Sequence, residues 1–150
     1  MHALLDQEAP GLAKKLESLS PDVRRSVLTN ACVYASACLS DPEVPVRGLL
    51  ESLKKHGPPS KGEVAKASSL AEAADAKYAD LQDRGADQEE VLKSFSEARL
   101  LSAMAIGFGG TSPKDSADAV YELCKTCDDP SGLIRSIEAN IDTQSAQSFK

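Results

Sequence analysis

The Cys-Lys-Thr-Cys stretch at residues 124–127 is the part of the sequence whose residue types could most readily do chemistry. Two cysteines at this spacing occur in thiol redox pairs and as half of a four-ligand zinc site. The sequence also puts Cys124 on an apolar stripe with Val120 and Tyr121, with Cys127 one turn further along. Because a thiol behaves as a small apolar side chain, core packing accounts for both positions.

A redox role is less well supported, because the surroundings of the pair disfavour a thiolate. Reactive cysteine pairs usually begin a helix, where the positive end of the helix dipole lowers the thiol pKa, whereas this pair ends a predicted helix. Three carboxylates surround it, Glu122, Asp128 and Asp129. The all-helical AhpD-like thiol oxidoreductases use a Cys-x-x-Cys pair, but their pattern has a histidine where this chain has Ser131. An AhpD-like enzyme using Cys124 and Cys127 is kept as one alternative function, and a small helical adaptor is kept as another.

A zinc site lacks the ligands that it needs. Cys32 and Cys38 are six residues apart on one predicted helix, about 240° around its axis, so they cannot face one ion together. A second Cys-x-x-Cys pair is absent, and His2 and His56 are the only imidazoles. We therefore expect no metal and no cofactor.

Helix start and stop signals divide the chain into about seven helices. Ser60 and Glu63 form one capping box, and Ser-Pro and Asp-Pro pairs open other helices. Breaks are predicted near residues 40–45, 57–60, 85–87, 109–112 and 128–130. With no clear strand pattern, the sequence predicts an all-α compact bundle. Two helix openings, DPEVPVRGLLESL and DPSGLIRSIEANI, resemble those of HEAT-type repeats, so a partly solenoid-like arrangement stays open. One domain is expected over residues 1–141, followed by a mobile tail at 142–150.

Apolar periodicity predicts which helix faces are buried. The stretch from Leu100 to Phe108 is apolar nearly all round and should be the most buried, with its large side chains in the core. These are Leu100, Leu101, Met104 and Phe108. Two further stripes are predicted to extend through Tyr34 and Cys38 and through Val91 and Leu92.

Charge is distributed unevenly along the chain. Residues 67–150 carry eight Lys and Arg against fifteen Asp and Glu, a net charge of −7, whereas residues 1–66 carry +1. This balance disfavours nucleic acid and suits a protein partner with a basic surface. The acids that we predict to meet this partner are Asp83, Asp87, Glu89, Glu90, Asp115, Asp118, Glu122 and Asp128.

The compartment is predicted from what the sequence lacks. The N-terminal residues MHALLDQEAP do not form a signal peptide, and the longest nearly apolar stretch is about half a membrane span. We expect a cytoplasmic protein that does not enter the membrane and whose four cysteines are reduced. The oligomeric state is left open.

The central region resembles a known class of proteins. VPVRGLLESLKKHGPPSKGEVAKASSLAEAADAKY, SEARLLSAMAIGF and DSADAVYELC are similar in layout to alanine-rich, all-helical immunity proteins of bacterial toxin systems. The resemblance spans about residues 31–125, and it carries no individual functional residue across. It implies a small cytoplasmic bacterial protein, not an enzyme, that binds a toxin and blocks it.

Overall fold

Eight helices and no strand make up the part of the chain that the structure describes. The structure is a computed structural model that describes residues 3–39, 41–110, 112–127 and 129–147, with only the backbone at 3, 4 and 145–147. The helices are α1 (Ala3–Glu8), α2 (Leu12–Glu17), α3 (Pro21–Ser36), α4 (Val44–His56), α5 (Lys61–Asp83), α6 (Gln88–Gly109), α7 (Pro113–Thr126) and α8 (Pro130–Gln147). The predicted all-α compact bundle is confirmed.

Capping residues begin the helices where the sequence predicted breaks. Ser20 accepts a hydrogen bond from the backbone N–H of Val23 at the start of α3. Ser60 and Ser112 each take part in a complete capping box, with Glu63 and Asp115 as the returning carboxylates. Each cap satisfies a backbone donor that the first helical turn leaves without a partner. The five predicted breaks therefore coincide with the observed helix junctions.

The N-terminal region forms two short helices instead of one. An interruption follows Pro10, where Gly11 adopts a left-handed conformation with φ of 85° between α1 and α2. Leu5, Leu12 and Leu16 are almost completely buried, and both helices pack against α7. This division raises the number of helices from the expected seven to eight.

Helix α6 lies at the centre of the bundle and contacts α3, α5 and α7. Leu100, Leu101, Met104 and Phe108 are all buried, as predicted. At Gly107 the backbone of α6 passes so close to the side chains of α3 and α7 that an added Cβ would collide with them. A glycine at this position therefore permits the close approach of three helices.

Alanines let α5 pack closely against α6. The seven-residue pattern along α5 buries Ala67, Ala71 and Ala74, while the opposite face of the helix is exposed. Ser94 of α6 is buried in the same interface, and its hydroxyl donates to the carbonyl of Ala74 at 3.4 Å. Small side chains on both helices therefore replace the large apolar residues that a composition with 4% aromatics cannot supply.

Two predicted apolar stripes are wrong at their ends. Cys38 is exposed because α3 ends at Ser36, so the helical period no longer applies. Tyr34 is 41% exposed and lies over Gly132 of α8. Leu92 is 50% exposed because α6 buries other positions of this stretch, Val91, Ser94 and Glu97, against its neighbours.

Two properties of the helices bear on the remaining expectations. Within the described ranges, no helix combines the length and the apolar character that crossing a membrane requires. Helix α8 continues through residues 142–147, which the sequence assigned to a tail, and Gln144 donates a hydrogen bond to Ser26 Oγ at 2.9 Å. The mobility of that tail stays a prediction.

Candidate functional site

A groove with a volume of about 450 Å³ runs beside the first two turns of α6. We call it the α6 groove. Its walls come from the loop after α3, from α6 and from the end of α7. The lining residues are Cys38, Asp41, Glu89, Glu90, Leu92, Lys93, Ser96 and Thr126. Residues from three separate parts of the sequence therefore meet at one surface.

Two of the predicted partner-binding acids, Glu89 and Glu90, lie in this groove. Both occupy the first turn of α6, where the positive end of the helix dipole favours a negative charge. Asp87 is the N-cap residue of the same helix, but its side chain makes no capping hydrogen bond. Asp83 lies at the end of α5, on the other side of the turn. Together these four residues are the turn acids.

The turn acids are exposed and have no close ionic partner. None of the four forms a salt bridge or a side-chain hydrogen bond with another described residue. Glu90 acts only at longer range on Lys77, whose pKa is raised chiefly by its hydrogen bond with Glu43. The turn acids therefore keep their charges available to an external partner.

The α6 groove combines this negative charge with an apolar contact. Leu92 lies on its wall and is half exposed, and of the large apolar side chains exposed among the described residues it is the one that lines the groove. Lys93 is the basic residue that lines the groove, against the three acids Asp41, Glu89 and Glu90. The surface therefore offers one apolar contact within an acidic rim.

Asp41 has a backbone conformation that is uncommon for its residue type. Its φ is 51°, in the left-handed region that side chains other than glycine seldom adopt, although aspartate tolerates it better than most. Such conformations concentrate at functional sites, where the surrounding structure maintains them. In this chain the conformation carries a carboxylate to the rim of the α6 groove.

A buried carboxylate connects α6 to the start of α4. Glu97 is 4% exposed and accepts a hydrogen bond from the backbone N–H of Glu43 at 3.1 Å. Burial raises the pKa of Glu97, and the charge of Glu43 raises it further, against the opposing effect of that hydrogen bond. The Glu43 carboxylate itself binds Lys77 at 2.6 Å. Glu97 therefore has a structural role that its polar character did not indicate in the sequence.

The predicted acids on α7 are used inside the molecule. We call Asp115, Asp118 and Glu122 the α7 acids. Asp115 accepts from the backbone N–H and the hydroxyl of Ser112 in the capping box. Asp118 binds Lys114 at 2.7 Å. Each of these two contacts lies within the first turns of α7, so the carboxylates stabilise the helix that carries them.

Glu122 takes part in a three-helix ion-pair network. Arg99 of α6 binds Glu122 of α7 at 2.8 Å and Asp75 of α5 at 2.6 Å. Its guanidinium also lies 5.6 Å from the centre of the Phe95 ring. With Arg99 and Glu122 each only about one-fifth exposed, this network belongs to the packing of the bundle. Asp128, the last predicted partner-binding acid, lies outside the described residues.

The cysteines are arranged differently from the pairs that the sequence suggests. Cys124 is 4% exposed, and burial raises its pKa to about 11. Cys32 is fully buried, and burial raises its pKa to about 12. The Sγ of Cys127 lies 2.6 Å from the Sγ of Cys38, 89 residues away in the sequence. Sequence reasoning missed this pair, because only the packing of α3 and α7 brings the two positions together.

No described group of three or more His, Cys, Asp or Glu side chains is arranged to hold a metal ion.

No protein-family model matches the chain, and comparisons with curated proteins and with solved structures give no match either.

Proposed function

We propose that this chain is a non-enzymatic binding protein whose α6 groove receives a basic segment of a protein partner. The observation that carries the proposal is that Glu89 and Glu90, which have no ionic partner among the described residues, share one concave surface with the half-exposed Leu92. A Lys- or Arg-rich segment that also presents an apolar side chain fits this chemistry. Asp83 and Asp87 lie next to the groove along the chain and extend the acidic surface.

Charge supports a basic occupant. The described residues that line the groove include three carboxylates and one ammonium group, and most of them belong to residues 67–150, whose net charge is −7. Acidic residues without internal partners attract a basic protein over a Debye length of about 8 Å at physiological ionic strength. Their main effect is on the rate and specificity of association, while a desolvated apolar contact such as Leu92 contributes to the lifetime of the complex.

The most specific form of the proposal is an immunity-type protein that binds a toxin and blocks it by occlusion. The resemblance of residues 31–125 to alanine-rich immunity proteins is what favours this form. A small inhibitor needs no catalytic group, only a rigid surface. The alanine-packed α5 and α6 supply such a support for the groove.

The alternative, an AhpD-like thiol oxidoreductase, would require a reactive Cys124. Its pKa of about 11 leaves very little thiolate at neutral pH, and its sulfur is buried. Both observations favour the packing role of Cys124 over the enzymatic one. Turnover of a peroxide or disulfide substrate that disappears in Cys124→Ala would reverse this preference.

The proposal can be tested by partner capture from an extract of the source cells with matched baits. We expect the wild type and Asp22→Lys to retain a basic protein at low salt, and Glu89→Lys to lose it. Asp22 and Glu89 are both exposed acids in the first turn of a helix, so the two variants change the same charge in the same local setting. Equal capture by both variants would contradict a role for the α6 groove.

The immunity form has a test of its own. The captured protein should be toxic when produced alone, and an equimolar amount of this chain should abolish that toxicity. A captured partner without toxic activity would leave the groove as a binding site and would refute the immunity form.

A further inference from the structure

We propose that Cys38 and Cys127 form a reversible disulfide, which makes this pair a site of oxidative modification. Their sulfur atoms lie 2.6 Å apart, within reach of a covalent bond of about 2.05 Å. Cys38 is exposed on the loop after α3, and Cys127 is the C-cap residue of α7. The inference does not depend on the proposed binding function.

Cys38 is the cysteine that attacks first, because it is the most accessible. Cys38 is solvent-exposed, whereas Cys127 is 8% exposed and the other two cysteines are buried more deeply. A small disulfide such as oxidised glutathione can therefore reach the Cys38 thiol more easily than the other three thiols. The buried Cys127 sulfur lies at the distance needed to resolve the mixed disulfide that results.

The chemistry balances with oxidised glutathione as the oxidant. The Cys38 thiolate attacks one glutathione sulfur, which breaks the glutathione S–S bond and releases one glutathione thiol. The Cys127 sulfur, after losing its proton, attacks the Cys38 sulfur and displaces the second glutathione. Two protein thiols are oxidised to one disulfide, one glutathione disulfide is reduced to two thiols, and the two protons pass to the released glutathiones.

The bond would join two junctions that are otherwise far apart along the chain. The α3–α4 loop would be held against the end of α7, and 89 residues separate the two cysteines. A crosslink that closes so long a loop restricts the unfolded chain strongly. Because Cys38 and Thr126 line the α6 groove, oxidation would also fix one wall of that groove.

Peptide mapping after oxidation identifies the bond directly. The full chain is incubated with oxidised glutathione, blocked with an alkylating reagent and digested with trypsin. Cleavage after Lys125 separates Cys124 in residues 115–125 from Cys127 in residues 126–135. We expect residues 126–135 to be linked to residues 26–47, which contain Cys38, and dithiothreitol to reverse the link.

Two variants show which cysteine of residues 26–47 forms the bond, and Cys38→Ser is chosen because it should still fold. Residues 26–47 also contain Cys32, so Cys32→Ala should keep the link and Cys38→Ser should lose it. Cys38→Ser changes an exposed side chain, so the variant remains folded. Oxidation should raise the Tm of the wild type by about 5 to 15 °C and leave the Tm of Cys38→Ser unchanged.

Each other outcome overturns the inference. A link between residues 115–125 and 126–135 would show a Cys124–Cys127 bond and would favour the thiol oxidoreductase. Glutathione adducts on Cys38 without an internal disulfide would show that Cys127 does not resolve them. Glutathione adducts on Cys38 alone would leave the proposed binding function unaffected, whereas a Cys124–Cys127 bond would count against it.

Discussion

The turn acids and the α7 acids have nearly the same composition but opposite structural roles. The α7 acids bind the capping backbone, Lys114 and Arg99, all within the molecule. The turn acids have no such contacts with described residues and lie exposed at or beside the α6 groove. The comparison shows that a cluster of acids in a sequence does not reveal which charges the fold already uses. Contacts within α7 use the charges of Asp115 and Asp118, and an ion pair between two helices uses that of Glu122.

The largest difference between the two regions should be seen at Arg99. We expect Arg99→Ala to lower the free energy of unfolding by about 2 kcal/mol, because it leaves the partly buried Glu122 without its cation and breaks the link to Asp75. Urea denaturation measures this loss. Arg84→Ala is the control, since its ion pair with Asp80 is 63% exposed on both sides and should contribute less than about 0.5 kcal/mol. Similar losses in both variants would mean that burial does not separate these ion pairs.

Glu97 sharpens the comparison, because it is an acid on the groove helix that the fold has buried. Glu97→Ala should cost about 1 to 3 kcal/mol in the free energy of unfolding, since the backbone N–H of Glu43 loses its acceptor. Glu97→Gln keeps an acceptor oxygen and should cost much less. An equal loss in both variants would show that the charge, and not the hydrogen bond, holds the start of α4.

The raised pKa of Glu97 predicts how the stability of the wild type should change with pH relative to that of Glu97→Gln. Between the ordinary glutamate pKa and this raised value, the folded state keeps a proton that the unfolded state has released. The wild type should therefore lose stability relative to Glu97→Gln as the pH rises through that window. Urea titrations between pH 4 and pH 8 measure the difference in the free energy of unfolding. A difference that does not change with pH would refute the raised pKa of Glu97.

The smallest effect on stability should come from the helix caps. Ser112→Ala should cost about 1 kcal/mol, because it removes the side-chain acceptor of the α7 capping box. Asp87→Ala at the N-cap position of α6 should cost less than about 0.5 kcal/mol, because that side chain makes no capping hydrogen bond. Thermal unfolding of the two variants compares them, and a reversed order would mean that Asp87 stabilises α6 by an interaction other than capping.

Local signals in the sequence were enough to predict the helix junctions and the central core. Serine caps, proline at first helical positions and glycine stops act within a few residues, so Ser60 and Ser112 could be assigned without the fold. The burial of Leu101 and Met104 could likewise be predicted, because a helix that is apolar nearly all round is buried whatever its orientation.

The candidate site could be predicted only in part. Glu89 and Glu90 are exposed in the first turn of α6, where a helix N-terminus favours acids, and their contact with a partner stays a prediction. Leu92 and Cys38 were assigned to apolar stripes, since periodicity does not show which neighbouring helix a face meets or where the helix ends. The contacts of Glu122 with Arg99 and of Cys38 with Cys127 depend on tertiary packing, which leaves no local trace.

The most direct test of the central claim is the association rate of the recovered partner with three proteins, measured against salt. Glu89→Lys should slow association about 3- to 10-fold relative to the wild type at low salt, Asp22→Lys should have little effect, and the difference should shrink as salt screens the charges. Thermal unfolding should confirm that both variants are folded. Equal rates for Glu89→Lys and Asp22→Lys at all salt concentrations would contradict the claim that the turn acids of the α6 groove meet a basic partner.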